Sequence, residues 1–419
     1  PRSPNPEQID SDDDGVGDGC AMVRWTGTAQ YEDRVYGVDG FTGEIVAVPL
    51  PGAVVELLHS ETGDVVGEGA TNSEGQFEIE VERITGSHYL RVVSHSADDH
   101  RPIIVRDRSI ERALYAVSSE SIEVVDQDLI EVDLVASSEQ PAGGAFNILH
   151  SSLRGYDLVR RHTQAQAPGL VVRWQSLMRF NCGSCYSDSV ISLGGQLSDT
   201  DEYDDDIILH EFGHYFADHF SRDSSPGGSH NGDKTEPTLA YGEGLATFLS
   251  AMVKGEPTYI DNYDDSHKYK NIETAREDED EYFGTEEGAL EGDVSEYLVA
   301  AVLWDSLDAP SEDEGHDTLE LGEDGVMSLL LETMTDPERV DMGYEGVDLA
   351  DWFNAMACLG PEQHDTVDAL AEERSFPCQS ENDASCAEKG GVSETVYVSV
   401  HEGQLSLRGG ALEERLPAV

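Results

Sequence analysis

In the stretch "DDDIILHEFGHYFADHF", His210 and His214 stand four residues apart around Glu211. On a helix that spacing puts both imidazoles on one face, one turn apart, where two ring nitrogens can hold one zinc ion. Glu211 then lies beside that face, within reach of a proton on a water activated at the ion. A catalytic zinc keeps three protein ligands and leaves its fourth position open, so one ligand remains to be found. The run "LAYGEGLATFLSAM" offers Glu243, with Gly242, Gly244 and Ala246 small enough to let two helices approach around an ion. Glu236 is the fallback. A third histidine in the pattern H-E-x-x-H-x-x-G-x-x-H fails, because Ala217 stands at the glycine position and His219 arrives one residue early.

The elements that must position these groups are legible as patterns. Ile207, Ile208, Leu209, Phe212, Phe216 and Phe220 give the histidine segment the apolar face of a buried helix, and Asp201 or Asp204 to Asp206 supply negative charge at its start. Histidines inside such a helix need partners, or they cost stability. Upstream, "AFNILHSSLRGYDLVRRH" has helical periodicity, and "GLVVRWQ" and "SVISLGG" read as short strands. From about Val23 to Val135 the chain alternates in short runs ("VRWTGTAQY", "AVVELLHS", "GQFEIEVE", "HYLRVVS", "LIEVDLVA") broken by turn signals, which predicts an antiparallel β-sandwich. "SSEQPAGG" is the linker between the two regions. "SPGGSHNGDKTEP", between the two ligand segments, borders the cleft or forms a surface loop, and "DDSHKYKNIETAREDEDEYFGTEEG" reads as a solvated insertion.

The first twenty residues carry a second constellation. Asp10, Asp12, Asp14 and Asp18 are spaced so that their carboxylates can converge on one hard cation, with Gly15 for the sharp turn. An EF-hand loop is excluded, because its twelfth position is Ala21 rather than Glu. The run "LSDTDEYDDD" is open between calcium ligation and helix capping.

Charge narrows the partners. Against 25 basic residues stand 86 acidic ones, a formal net charge of −61, which disfavours nucleic acid and anionic membrane surfaces and suits divalent cations. The acidic residues are spread along the chain, and five of the basic residues are lysine, a composition that resembles a salt-adapted surface. No apolar run approaches the roughly 20 residues needed to span a bilayer. The chain opens on Pro1 with no signal-like segment, which predicts a piece processed or trimmed from a longer protein. Six cysteines (Cys20, Cys182, Cys185, Cys358, Cys378 and Cys386) fit disulfides in an oxidising compartment, with a local bridge expected between Cys182 and Cys185.

Three resemblances follow from these strings. "NPEQIDSDDDGVGDGC" resembles one thrombospondin type 3 repeat, which implies calcium on its aspartates and a disulfide for Cys20. "LPGAVVELLHSETGDVVGEGATNSEGQFEIEV" resembles the carboxypeptidase-regulatory or transthyretin-like modules of secreted proteins. "DEYDDDIILHEFGHYFADHFSRDSSPGGSH", "LAYGEGLATFLSAM" and "SEYLVAAVLWDSLD" together resemble secreted bacterial metallopeptidases of the gluzincin, or thermolysin-type zincin, class. That resemblance implies zinc on His210, His214 and Glu243, Glu211 as base, and a strand near "SVISLGG" that receives substrate by strand addition.

Two departures stand out. The class carries an Asp four residues after the ligand Glu to orient a zinc histidine; here Thr247 occupies that place, so another carboxylate or a carbonyl is expected to act. The class also holds the oxyanion with a later His or Tyr, and "EGDVSEYLVAAVLW" contains no His. Tyr297 is the candidate, with His230, Tyr241 and Tyr282 behind it.

The expected organisation is a calcium-binding segment (residues 1–20), an all-β sandwich (21–138), an α+β zincin-like catalytic domain (139–375) and a cysteine-containing tail (376–419). The expected function is a secreted or cell-surface zinc peptidase acting on proteins or peptides. The competing expectation is a calcium-binding adhesion protein with an inactive zincin-like domain.

Overall fold

The structure, a computed structural model, describes residues 22–377 apart from 83, 110–112, 126, 167, 264–265, 275–281, 285–288, 310–318 and 360–362, together with the backbone of 397–401 and 404–408. The calcium expectation on Asp10, Asp12, Asp14 and Asp18, and those on Cys20, Cys378 and Cys386, lie outside the described residues.

Eleven strands come first: β1 (Met22–Gly37), β2 (Gly40–Pro49), β3 (Ala53–His59), β4 (Val65–Ala70), β5 (Gln76–Glu82), β6 (Gly86–Ser96), β7 (Ile103–Asp107), β8 (Ala116–Ser118), β9 (Ile122–Val124), β10 (Leu129–Glu131) and β11 (Leu134–Ala136). Helix α1 (Pro141–His162), β12 (Leu170–Trp174), β13 (Cys185–Ser187) and β14 (Val190–Ser192) follow, then α2 (Asp205–Phe220), β15 (Lys234–Thr235) and α3 (Pro237–Lys254). A hairpin, β16 (Thr258–Tyr263) and β17 (Ser266–Asn271), leads to β18 (Tyr282–Phe283), β19 (Asp293–Ser295) and α4 (Glu296–Asp305). The remainder is α5 (Gly322–Ser328), α6 (Pro337–Val340), α7 (Leu349–Ala357), α8 (His364–Glu373) and a hairpin of β20 (Tyr397–His401) and β21 (Gln404–Arg408).

Strand β1 is long enough to serve two partners on each side. Its first half pairs with β5 and β10, its second with β2 and β11. The expected single strand "LIEVDLVA" is therefore two, and the break sits opposite Gly27, where a Cβ would run into the Val132 carbonyl. The β5 pattern Gln76–Glu82 alternates strictly between exposed and buried, as a half-buried strand should. The two sheets meet where Gly67 and Gly69 of β4 lie against Ile79 and Val81 of β5, each too close for a Cβ.

The second sheet continues past the linker. It runs β13-β14-β12-β7-β6-β3-β4, with β12 pairing in parallel with β7 from Leu170↔Ile103 to Trp174↔Asp107. The strands after residue 138 thus extend a sheet begun before it, and the core is shared. Periodicity within a strand says nothing of its neighbours, so this continuity was not visible in the sequence. Strand β14, the "SVISLGG" segment, lies between β12 and β13. Among the described residues the outer strand beside the helices is β13, next to the segment near which a substrate-receiving strand was expected. The segment read as a solvated insertion begins as strand β17, paired with β16 over six residues.

Helix α1 packs against this sheet; α2 lies on α1 and reaches β13, α3 lies on α2, and α4 on α3. Gly213 of α2 faces Ala246 of α3 so closely that a Cβ would meet the Ala246 Cα at 2.6 Å. On its other side, Gly244 of α3 faces the Glu296 carbonyl and Val299 of α4 at 2.5 Å. The first turn of α2 is anchored through its acids. Asp205 accepts from Arg154 (2.7 Å), Ser151 (2.7 Å) and Asn147 (3.1 Å) of α1, and Asp206 from Lys254 (2.6 Å) and Ser250 (3.1 Å) of α3. Among the described residues, no helix is long and apolar enough to cross a membrane.

Candidate functional site

Helix α2 buries Ile208, Leu209, Phe212, Tyr215 and Phe216 completely, which fixes its rotation and turns His210, Glu211 and His214 toward α3. There, Nε2 of His210 and Nε2 of His214 lie 3.1 and 3.3 Å from Oε2 of Glu243. One ligand atom from each of these three residues falls within 4.8 Å of the others. Glu236 is engaged elsewhere, capping α3 by accepting from the Thr238 and Leu239 amides.

The hydroxyl of Thr247 is 3.2 Å from Nδ1 of His210. With Nε2 facing Oε2 of Glu243, the group at Nδ1 is this hydroxyl rather than the carboxylate or carbonyl expected there. Threonine at this position keeps the hydrogen bond without adding a charge.

Glu211 is 6% exposed, and its Oε2 is buried with no hydrogen-bond partner among the described residues. Burial raises its pKa, the neighbouring charge of Glu243 adds to that, and His214 and His210 oppose it. A carboxylate poised upward in this way suits a general base. Glu243 is shifted the other way. Burial opposes its ionisation, but the hydrogen bonds and charge of His210 and His214 outweigh burial and hold it well below the usual carboxylate range. Burial also works against protonating His214, yet Glu243, then Glu211 and Asp223, raise it to about 9.

His230, in the glycine-rich loop between α2 and α3, comes to the same place. Its Nε2 is 3.3 Å from Oε2 of Glu243 and its Nδ1 is 3.0 Å from Oε2 of Glu296, the first residue of α4. Its ring stacks over that of His210 at 6.3 Å. Burial disfavours its charged form, but Glu296 and Glu243 prevail and raise its pKa. The three other oxyanion candidates sit in different surroundings. Tyr297 is 1% exposed, covered by Gly232 and with Lys268 and Lys270 over its ring at 5.1 and 4.7 Å. Tyr241 is buried where the charges of Asp351 and Asp348 act on it, and Tyr282 accepts from the Gly292 amide and packs on Phe376.

A cavity of about 420 Å³ opens over these groups, lined by Glu211, His214, His230 and Glu243 on one side and by Cys182, Cys185 and Tyr186 around the β13 edge on the other. Cys182 and Cys185 are disulfide-bonded across the lip, and Cys358 is also in a disulfide. The β13–β14 turn is tied to the end of α2, with the Tyr186 hydroxyl 2.6 Å from Asp218 and the Ser189 hydroxyl 2.7 Å from Nε2 of His219. A separate group, Asp199, Asp201 and Asp261, also brings carboxylate oxygens within 4.8 Å of one another. Two of these belong to "LSDTDEYDDD"; Asp204 in the same run accepts instead from the Asn262 backbone and side chain.

Residues 158–366, close to half of the chain and including every residue of the trio, match the family model described as the Mycolysin C-terminal domain. No curated protein matches the chain. Similar solved structures include a 9R-lipoxygenase from Cyanothece (16% identity, 33% of this chain and 24% of that one, TM-score 0.18). Others are a DUF3823 family protein from Parabacteroides merdae (14%, 28% and 46%, TM-score 0.16) and the major plantain pollen allergen (14%, 28% and 92%, TM-score 0.18). The chain thus spans about a quarter of the first and under half of the second, and likenesses this slight assign no fold. The Mycolysin match supports an association with thermolysin-like metallopeptidases.

Proposed function

We propose that the chain is a secreted zinc-dependent peptidase in which His210, His214 and Glu243 hold the metal. The observation that carries this reading is one juxtaposition: two imidazole nitrogens and a carboxylate oxygen converge, and the buried Oε2 of Glu211, unpartnered among the described residues, lies beside them. Two neutral imidazoles and one carboxylate are a donor set suited to zinc, and the adjoining cavity leaves the fourth position accessible. Zinc bound there would supply Lewis acidity, polarising the scissile carbonyl and acidifying a water.

The chain's own residues do the rest. Glu211 takes the water's proton and passes it to the leaving amine. His230, with Nδ1–H held by Glu296, directs an Nε2–H donor at the oxygen on which negative charge develops, the role first sought in Tyr297. The free edge of β13 offers backbone groups to an extended substrate segment. Strands β1–β11 are the proposed carboxypeptidase-regulatory-like module ahead of the catalytic region.

Metal analysis tests the proposal. The purified chain should carry one zinc, lose peptide hydrolysis on treatment with a chelator and regain it when zinc is restored. A chain that binds zinc stoichiometrically and cleaves nothing in a diverse peptide pool would instead be a binding protein.

A further inference from the structure

Four of the charged side chains lining the cavity, Glu211, His214, His230 and Glu243, are accounted for by the catalytic reading; Asp223 is not. It follows the end of α2, exposed on the cavity wall, and its Oδ1 accepts from the Ser225 amide at 2.7 Å. That bond fixes the orientation of the carboxylate, while Oδ2 has no partner among the described residues. The charge of Asp223 is felt at His214, so the group is within electrostatic reach of the metal ligands.

The rest of the wall gives an apolar side chain little to bind. Pro226 and Tyr186 are its larger apolar surfaces, and Gly227 and Gly228 present bare backbone. Among the described residues, no Leu, Ile, Val, Phe or Met lines the cavity, and no Lys or Arg does either. Lys268 and Lys270 sit over the Tyr297 ring and are not part of the wall. A polar pocket with one unpaired, oriented carboxylate, set in a chain of net charge −61, concentrates cations.

We infer that this pocket selects a cationic side chain, Lys or Arg, next to the scissile bond, with Asp223 as the specificity-determining residue. The inference rests on the peptidase reading and deepens it. The pairing is a carboxylate against an ammonium or guanidinium in a half-enclosed site, so its effect is moderate and screened by salt.

The test uses the zinc-loaded full chain and peptides identical except at the two positions flanking the cleaved bond, where Lys, Arg, norleucine, Gln or Glu is placed. The kcat/KM for Lys and Arg peptides should exceed that for norleucine by about three- to tenfold. That ratio should collapse in Asp223→Asn, invert toward Glu in Asp223→Lys, and shrink in the parent between about 0.05 M and about 1 M salt. Zinc content shows whether each variant is folded, and the salt series stands even if neither is. Cleavage without preference for basic residues, or a preference that persists in folded Asp223→Asn, overturns the inference and leaves the peptidase standing. Failure of the parent to cleave any peptide overturns the peptidase reading, and this inference with it.

Discussion

At the scale of single residues, the hydrogen bond from His210 to Thr247 is replaceable in a way that separates binding from chemistry. Thr247→Val removes the hydroxyl at 3.2 Å and keeps the volume, so zinc affinity should fall by about 10- to 100-fold in a competition titration with a coloured chelator. His230→Ala should leave zinc bound while kcat falls by about 100- to 1,000-fold, because the donor acts only as charge develops on the substrate. Protons compete with the metal at His214, whose pKa is raised to about 9 in the metal-free chain. Apparent zinc affinity should therefore climb with pH until about 9 and level off beyond it. That His210, Glu211 and His214 share a side of one helix follows from helical periodicity, whereas Glu243 stands on the next helix and was sought by its small neighbours. His230 could only be ranked among alternatives, since it lies in a loop where Gly227 and Gly228 adopt positive φ and nothing local states where the chain turns.

Between elements, the site depends on how closely α2 and α3 approach, and Gly213 sets that distance. In Gly213→Ala the new methyl would press on the Ala246 Cα at 2.6 Å, and the two ligand-bearing helices must separate. The expected cost is about 1–3 kcal/mol, read as a lower Tm, accompanied by weaker zinc binding. A wild-type Tm and zinc affinity in this variant would mean that the contact does not set the geometry. The sequence pointed to Gly242, Gly244 and Ala246 as the small residues of the approach. Of these, Ala246 makes it, Gly244 serves the α3–α4 contact, and Gly242 faces Ser225 and Asp223. Helical spacing identified the small residues without saying which neighbour each one faces. Strand pairing was hidden for the same reason: β14 was legible as a strand, whereas its internal place and the β13 edge depend on which strands lie alongside.

Over the whole molecule, buried carboxylates dominate the response to pH. Burial raises Asp33 to about 6, Glu202 to about 7, Asp351 to about 7 and Asp348 to about 8, with neighbouring acids adding to the shift. A carboxyl whose pKa is higher folded than unfolded binds more protons in the folded state, so its contribution is present below its unfolded pKa and is lost as pH rises through the folded value. Stability should therefore decline between about pH 5 and about pH 8. Molar salt should raise the Tm at the alkaline end, because it screens the repulsion within a chain of net charge −61. Hydrolysis driven by Glu211 is tested by cleavage of an unfolded protein with the zinc-loaded chain and with Glu211→Gln side by side. The variant should keep its zinc and its Tm while its rate falls by at least about 100-fold. A zinc-loaded Glu211→Gln that cleaves at the parental rate would contradict it.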